Sequence, residues 1–217
     1  MSVLIEACVD SVESAVAAVR GGAHRLELCE NLSVGGTTPS AHLLEAVKQR
    51  VDVPVFVMIR ARGGDFEYSR PELQQMRRDI DTAKRSGADG YVFGVLRDTQ
   101  VDVERTRELV GHVDGAPVTF HRAFDLVDQH RGLELLVDAG VQRVLTSGGA
   151  PTALAGAAAL RELVNGASAR IVIMAGGTVR AENVAELIRR TGVHEVHARC
   201  ELDPLRIEGI AAALRAI

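Results

Sequence analysis

The sequence has no tryptophan, two tyrosines and five phenylalanines, which leaves few aromatic platforms for stacking single-stranded bases. A cationic excess is also missing: Lys plus Arg number 25 against 29 Asp plus Glu, a formal net charge of -4. Nucleic acids need a broad positive field, so the balance argues against them as partners. No apolar run approaches the roughly 18 residues of a membrane span, so no membrane association is expected. The start, MSVLIEACVDS, has no basic segment and meets Glu6 and Asp10 almost at once, unlike a secretory signal. The three cysteines, Cys8, Cys29 and Cys200, are an odd and sparse set, the usage of a reducing compartment. The expected location is cytoplasmic. Linkers, low-complexity stretches and charge blocks are absent too, so residues 1–217 are expected to form a single domain.

What is present is alternation. Short β-rich runs are predicted at Val3 to Cys8, His24 to Cys29, Val53 to Arg60, Gly90 to Val95, Pro117 to Arg122, Arg143 to Thr146, Arg170 to Ala175 and Glu195 to Ala198. Helical patterns follow them at Ser11 to Gly21, Ser40 to Arg50, Pro71 to Ser86, Asp102 to His112, Arg131 to Ala139, Thr152 to Val164, Ala181 to Arg190 and Pro204 to Ala216. Pro71 suits a first helical turn, while Gly21-Gly22, Gly87, Gly140 and Gly192 suit helix ends. Eight such units predict an α/β fold, a single (β/α)8 TIM barrel. A doubly wound open sheet normally carries GxGxxG after its first strand, and that motif is missing here.

Barrel side chains alternate between the helix layer and the interior, and catalytic groups stand at the C-terminal strand ends. With Val55, Val57 and Ile59 facing the helices, Phe56, Met58 and Arg60 turn inward. The same phase turns Glu6 and Cys8, Arg25, Glu27 and Cys29, Thr119 and His121, and Glu195 and His197 inward. Glu6, Glu27, Arg60, His121 and His197 are therefore the candidate catalytic set at the mouth, because buried charge is costly unless paired or used. The competing reading is a self-satisfied Glu–Arg network that fixes the barrel's polar end.

Three loops stand out. In RARGGDFEYS, Arg60 and Arg62 flank a glycine turn and form a fork suited to a carboxylate or phosphate. Alternatively, Asp65 clasps one guanidinium. In TSGGA and MAGGTVRAEN, Gly148, Gly149, Gly176 and Gly177 can expose backbone N–H groups to a small anion. Glycine-rich turns also arise for steric reasons alone. The cysteines carry two readings as well. Aligned on adjacent strands, Cys8 and Cys29 would have backbones about 4.8 Å apart and would suit a shared Cu(I) ion, or they would simply pack.

Taken in order, EACVDSVESAVAAVRGGAHRLELCENLSVGGTTPS, RARGGDFEYS, VTFHRAFD, RVLTSGG, IVIMAGG and EVHA resemble the CutC family of copper homeostasis proteins over nearly the whole chain. The resemblance implies a cytoplasmic TIM barrel that forms dimers or larger homo-oligomers and handles copper, with Cys8 and Cys29 as the Cu(I) ligands. Ala61 stands where the family usually has proline, and only Arg199 to Asp203 separates the last strand from the last helix. This shorter segment is expected to open the mouth. Two functions from different classes follow: a Cu(I)-binding homeostasis protein, or an enzyme acting by acid/base chemistry on a small sugar or sugar phosphate.

Overall fold

The computed structural model describes residues 3–200 and 205–217. Eight parallel strands close into a barrel: β1 (Leu4–Val9), β2 (Arg25–Leu28), β3 (Val55–Met58), β4 (Gly90–Phe93), β7 (Val118–Phe120), β8 (Arg143–Thr146), β9 (Val172–Gly176) and β10 (Glu195–Arg199). Strand β1 closes the ring by pairing with both β2 and β10. Among the described residues, eight α-helices surround it: α1 (Val12–Arg20), α2 (Ala41–Lys48), α3 (Arg70–Arg85), α4 (Val103–His112), α5 (Gln129–Asp138), α6 (Ala157–Ala167), α7 (Ala181–Thr191) and α8 (Leu205–Arg215). The chain is a TIM barrel.

Alternation drives the closure. Ile5, Ala7 and Val9 of β1 and Val55 and Val57 of β3 lie buried in the main apolar core. Burying each large aliphatic side chain contributes roughly 1.5–3 kcal/mol. Helices supply the facing stripe: α3 buries Met76, Ile80 and Ala83 at helical spacing. Its start is fixed by Ser69, whose backbone N–H donates to Glu72 at 2.7 Å, with Pro71 in the first turn.

Two local departures have physical causes. An antiparallel hairpin, β5 (Leu96–Arg97) and β6 (Gln100–Val101), precedes α4. Its turn residues Asp98 and Thr99 both have positive φ, 49° and 59°, a turn normally announced by Asn-Gly or Asp-Gly. Asp-Thr carries no such signal. Helix α6 starts at Ala157 rather than Thr152, because residues 151–156 are used in a turn. The predicted last helix falls on α8, while Glu201 to Pro204 lie outside the described residues.

Candidate functional site

The lower barrel interior is an ionic layer. Register places Glu6 beside Arg25 on β2 and His197 on β10. Arg25 donates through Nε to Glu6 and through Nη2 to Glu195 at 2.6 Å. Arg143 grips Glu195 through Nε at 2.6 Å and Nη2 at 3.2 Å. Phe56 stands 5.0 Å from the Arg25 guanidinium and 5.5 Å from that of Arg143, near enough for cation–π attraction to both. Glu6 is fully buried. Burial would raise its pKa, yet the hydrogen bond from His197 and the charge of Arg25 hold it down at about 2.

Above this layer opens a cavity of about 490 Å³, lined among others by Cys8, Glu27, Arg60, His121 and His197. Four of the five candidate catalytic residues therefore share one space, and Glu6 lies beneath them. His197 links the levels: its Nδ1 is 2.8 Å from Glu6 Oε1. Burial alone would lower the imidazole's pKa, but the charge of Glu27, the Cys8 thiol and Glu6 raise it well above the usual value. Glu27 is pushed up by burial, against the pull of His197. His121 goes the other way, lowered to about 3 by burial and then by the charge of Arg60. The Ala123 N–H donates to His121 Nδ1 at 3.2 Å, so the proton of this neutral ring sits on Nε2.

The arginines of the third loop diverge. Arg60 turns inward and donates to the carbonyl oxygens of Val34 and Gly36, both at 3.1 Å, and of Gly64 at 2.7 Å. Its guanidinium lies 4.8 Å from the Phe66 ring centre and touches neither carboxylate. Arg62 turns outward to Asp65 at 2.9 Å and Glu72 at 2.6 Å, and it does not line the cavity.

The glycine turns differ as well. Asp125 fills the first from within the chain: its Oδ1 accepts from the N–H groups of Ser147 at 3.0 Å and Gly149 at 3.1 Å. Arg122 Nε donates to the same carboxylate at 2.7 Å, and Gly148 N–H goes to Thr146 Oγ1 at 2.9 Å. Gly176 ends β9, where a Cβ would come 2.5 Å from Leu145 Cδ1, so any side chain there would require Leu145 to shift. Gly177 opens the turn to α7 at φ +112° and is followed by Thr178 at φ 57°, an uncommon conformation for a β-branched residue. Gly177, Thr178, Val179 and Arg180 all line the cavity.

Asp125, Arg122, Thr178 and Arg180 were not singled out by the sequence. The only available signal was an Asp four residues beyond His121, with no spacing rule to connect it to a turn more than twenty residues later.

Cys8 and Cys29 are offset diagonally, because register pairs Cys8 with Glu27 rather than with Cys29. Their sulfurs nevertheless lie 3.6 Å apart, both buried. Hydrogen bonding with Cys29, then burial and Glu27, raise the Cys8 thiol well above its ordinary pKa. Ligand atoms of Cys8, Glu27 and His197 all lie within 4.8 Å of one another. The Cys200 thiol donates to the Ser14 carbonyl at 3.7 Å, while its backbone N–H donates to the Cys8 carbonyl at 3.0 Å.

With this geometry in hand, comparison with known proteins places the chain. The CutC family model matches residues 3–201. The human copper homeostasis protein cutC homolog is 52% identical over 196 residues, 89% of this chain and 72% of that protein. A family protein CutC of Rhizobium meliloti (strain 1021) is 45% identical over 198 residues, 90% of this chain and 80% of its own. Among solved structures, a candidate copper homeostasis protein CutC from Streptococcus agalactiae superposes with a TM-score of 0.86 at 35% identity, covering 90% of this chain and 97% of that one. The chain belongs to the CutC family.

Proposed function

We propose that the protein binds Cu(I) at the floor of its mouth, with Cys8 and Cys29 as the sulfur ligands. The observation that carries this is the pair of buried sulfurs 3.6 Å apart, soft donors of the kind Cu(I) prefers. Glu27 and His197 bring ligand atoms within 4.8 Å of the Cys8 sulfur and would be the further donors available on that side. Binding displaces the thiol protons. The copper homeostasis names of the relatives support the same reading. Under reducing conditions, chelator competition should show Cu(I) affinity lost in Cys8→Ser and in Cys29→Ser; unchanged affinity in both removes them as ligands.

A second reading rests on a different observation: Glu27 Oε2, Arg60 Nε and His121 Nε2 are buried at the cavity without a hydrogen-bond partner. Such atoms are costly to leave unmet, and a bound small molecule would meet them. In this reading the protein is an enzyme on a sugar-like or sugar-phosphate substrate. Glu27 and His197 exchange protons with it, Glu6 orients His197, and Arg60 and His121 donate to its oxygens. A metabolite screen that finds no turnover by the purified protein removes it. A cytoplasmic location and a homo-oligomeric assembly belong to the same proposal, and the family resemblance supports them. Light scattering across the micromolar range tests the assembly, and a monomer throughout refutes it.

A further inference from the structure

We propose that the mouth cavity is built for a small hydroxylated phosphate monoester, its phosphate on the turn between β9 and α7 and its hydroxyl or carbonyl oxygens among Arg60, His121 and Glu27. This rests on the small-molecule reading of the mouth and narrows it to one chemical class.

Charge is the first support. The chain as a whole has a net charge of -4, yet among the described residues the cavity wall carries the guanidinium groups of Arg60 and Arg180, besides that of Arg122, which Asp125 already pairs, against one carboxylate, Glu27. A concentrated positive wall in a sheltered site selects an anion. Backbone donors place the anionic end. Among the described residues, the N–H groups of Gly177, Thr178 and Val179 donate to no internal acceptor, whereas Arg180 N–H is taken by Asn183 Oδ1 at 2.9 Å. These three precede the first turn of α7, where the helix dipole adds to the attraction. The neighbouring turn shows the same kind of site already filled, since Asp125 collects the N–H groups of Ser147 and Gly149. The β9 turn is the one left open.

The second support is independent. Arg60, His121 and Glu27 are each at least 95% buried, line the same cavity and carry a polar atom without a partner. Arg60 Nε and His121 Nε2 are donors, and Glu27 Oε2 is an acceptor. Oxygens that both accept and donate satisfy all three, which describes hydroxyl groups or a hydroxyl beside a carbonyl. An inorganic phosphate alone would reach the turn and leave this group unmet. The cavity, about 490 Å³, falls within the range of small-ligand sites.

Titration calorimetry on the full chain with inorganic phosphate, glycerol, glycerol 3-phosphate and ribose 5-phosphate tests this. Expected are weak binding of phosphate, none of glycerol, and at least one ester about tenfold tighter than phosphate. Arg180→Gln should weaken phosphate and ester alike, by about tenfold. His121→Gln should weaken the ester by about tenfold and leave phosphate unchanged; Glu27→Gln replaces it should that variant not fold. No binding of any phosphate compound overturns the proposal, as does an ester that binds no tighter than phosphate. Turnover of a neutral sugar without phosphate binding overturns it while sparing the enzyme reading. Ester binding without any turnover supports it and removes the enzyme reading.

Discussion

Two levels of the barrel interior use the same residue types to opposite ends. In the lower layer, Glu6, Arg25, Arg143 and Glu195 meet one another within hydrogen-bond distance. At the mouth, Glu27, Arg60 and His121 keep unmet polar atoms although they are more deeply buried than Arg143 and Glu195. Burying a charge costs several kcal/mol even after relaxation, so the lower layer is tolerable because it is closed upon itself, and the upper one because it faces a cavity. Ionisable groups inside a barrel therefore do not mark a site by number. They mark it where their valences remain unspent.

Arg25 is the costliest residue of the lower layer to lose. Replacing it with Met should destabilise the fold by about 3–5 kcal/mol, because the fully buried Glu6 and the largely buried Glu195 lose the guanidinium that joins them. Urea unfolding checks the size, and a loss below about 1 kcal/mol would mean that the layer is not the closed network described. Stability loss, not loss of Cu(I) or phosphate binding at constant fold, is the signature expected of the lower level.

His121 sharpens the contrast through pH. Its folded pKa is about 3 against 6.5 for the free side chain, so between these values the unfolded chain binds a proton that the native protein does not. Stability present above pH 6.5 should fall as pH drops towards 3, by on the order of 3 kcal/mol down to pH 4. His121→Gln lacks this titration, so its stability should fall less steeply than that of the wild type over the same window. Parallel curves would mean that the ring is not held neutral.

How much of this was legible is uneven, for a physical reason. Strand phase has period two, so flanking branched residues such as Val55 and Val57 sufficed to turn Arg60, Glu27 and His197 inward. The eight-fold alternation fixed the barrel in the same way. Partners were another matter. Arg60 ends on carbonyls of Val34, Gly36 and Gly64, targets set by how two loops meet and not by any local pattern. Asp125 in the TSGG turn is equally non-local. Sulfur proximity at Cys8 and Cys29 depends on a diagonal register, which a one-residue slip would undo. The family motifs supplied the pairing that strand alternation left open.

A smaller effect of opposite sign is expected at Glu27. Burial raises its pKa, so the charged carboxylate opposes folding at neutral pH, and Glu27→Gln should stabilise by about 1 kcal/mol, as removal of a functional charge commonly does. The attraction of His197 offsets part of the gain, which keeps the figure small. Thermal unfolding at pH 7 measures it. A clear loss of stability would place Glu27 with the lower, architectural level.

Arg62 should show the smallest change. It stands beside Arg60 in sequence, yet its side chain is about one-third exposed and spans Asp65 and Glu72 on the rim. Exposed pairs contribute little, since solvent screens the attraction and the side chains lose freedom in making it, so Arg62→Ala should cost no more than about 1 kcal/mol. Because Arg62 is absent from the cavity wall, Cu(I) and phosphate affinities should stay at wild-type values in the same preparation. The corresponding change at Arg60 removes three loop-carbonyl contacts and a donor facing the cavity, so it should lower both loop order and ligand affinity. Two arginines separated by one alanine thus test the same distinction as the two levels of the barrel. If Arg62→Ala weakens binding of the phosphate ester as much as Arg60→Ala does, the ligand is held by the loop as a whole and the inner wall is not the site.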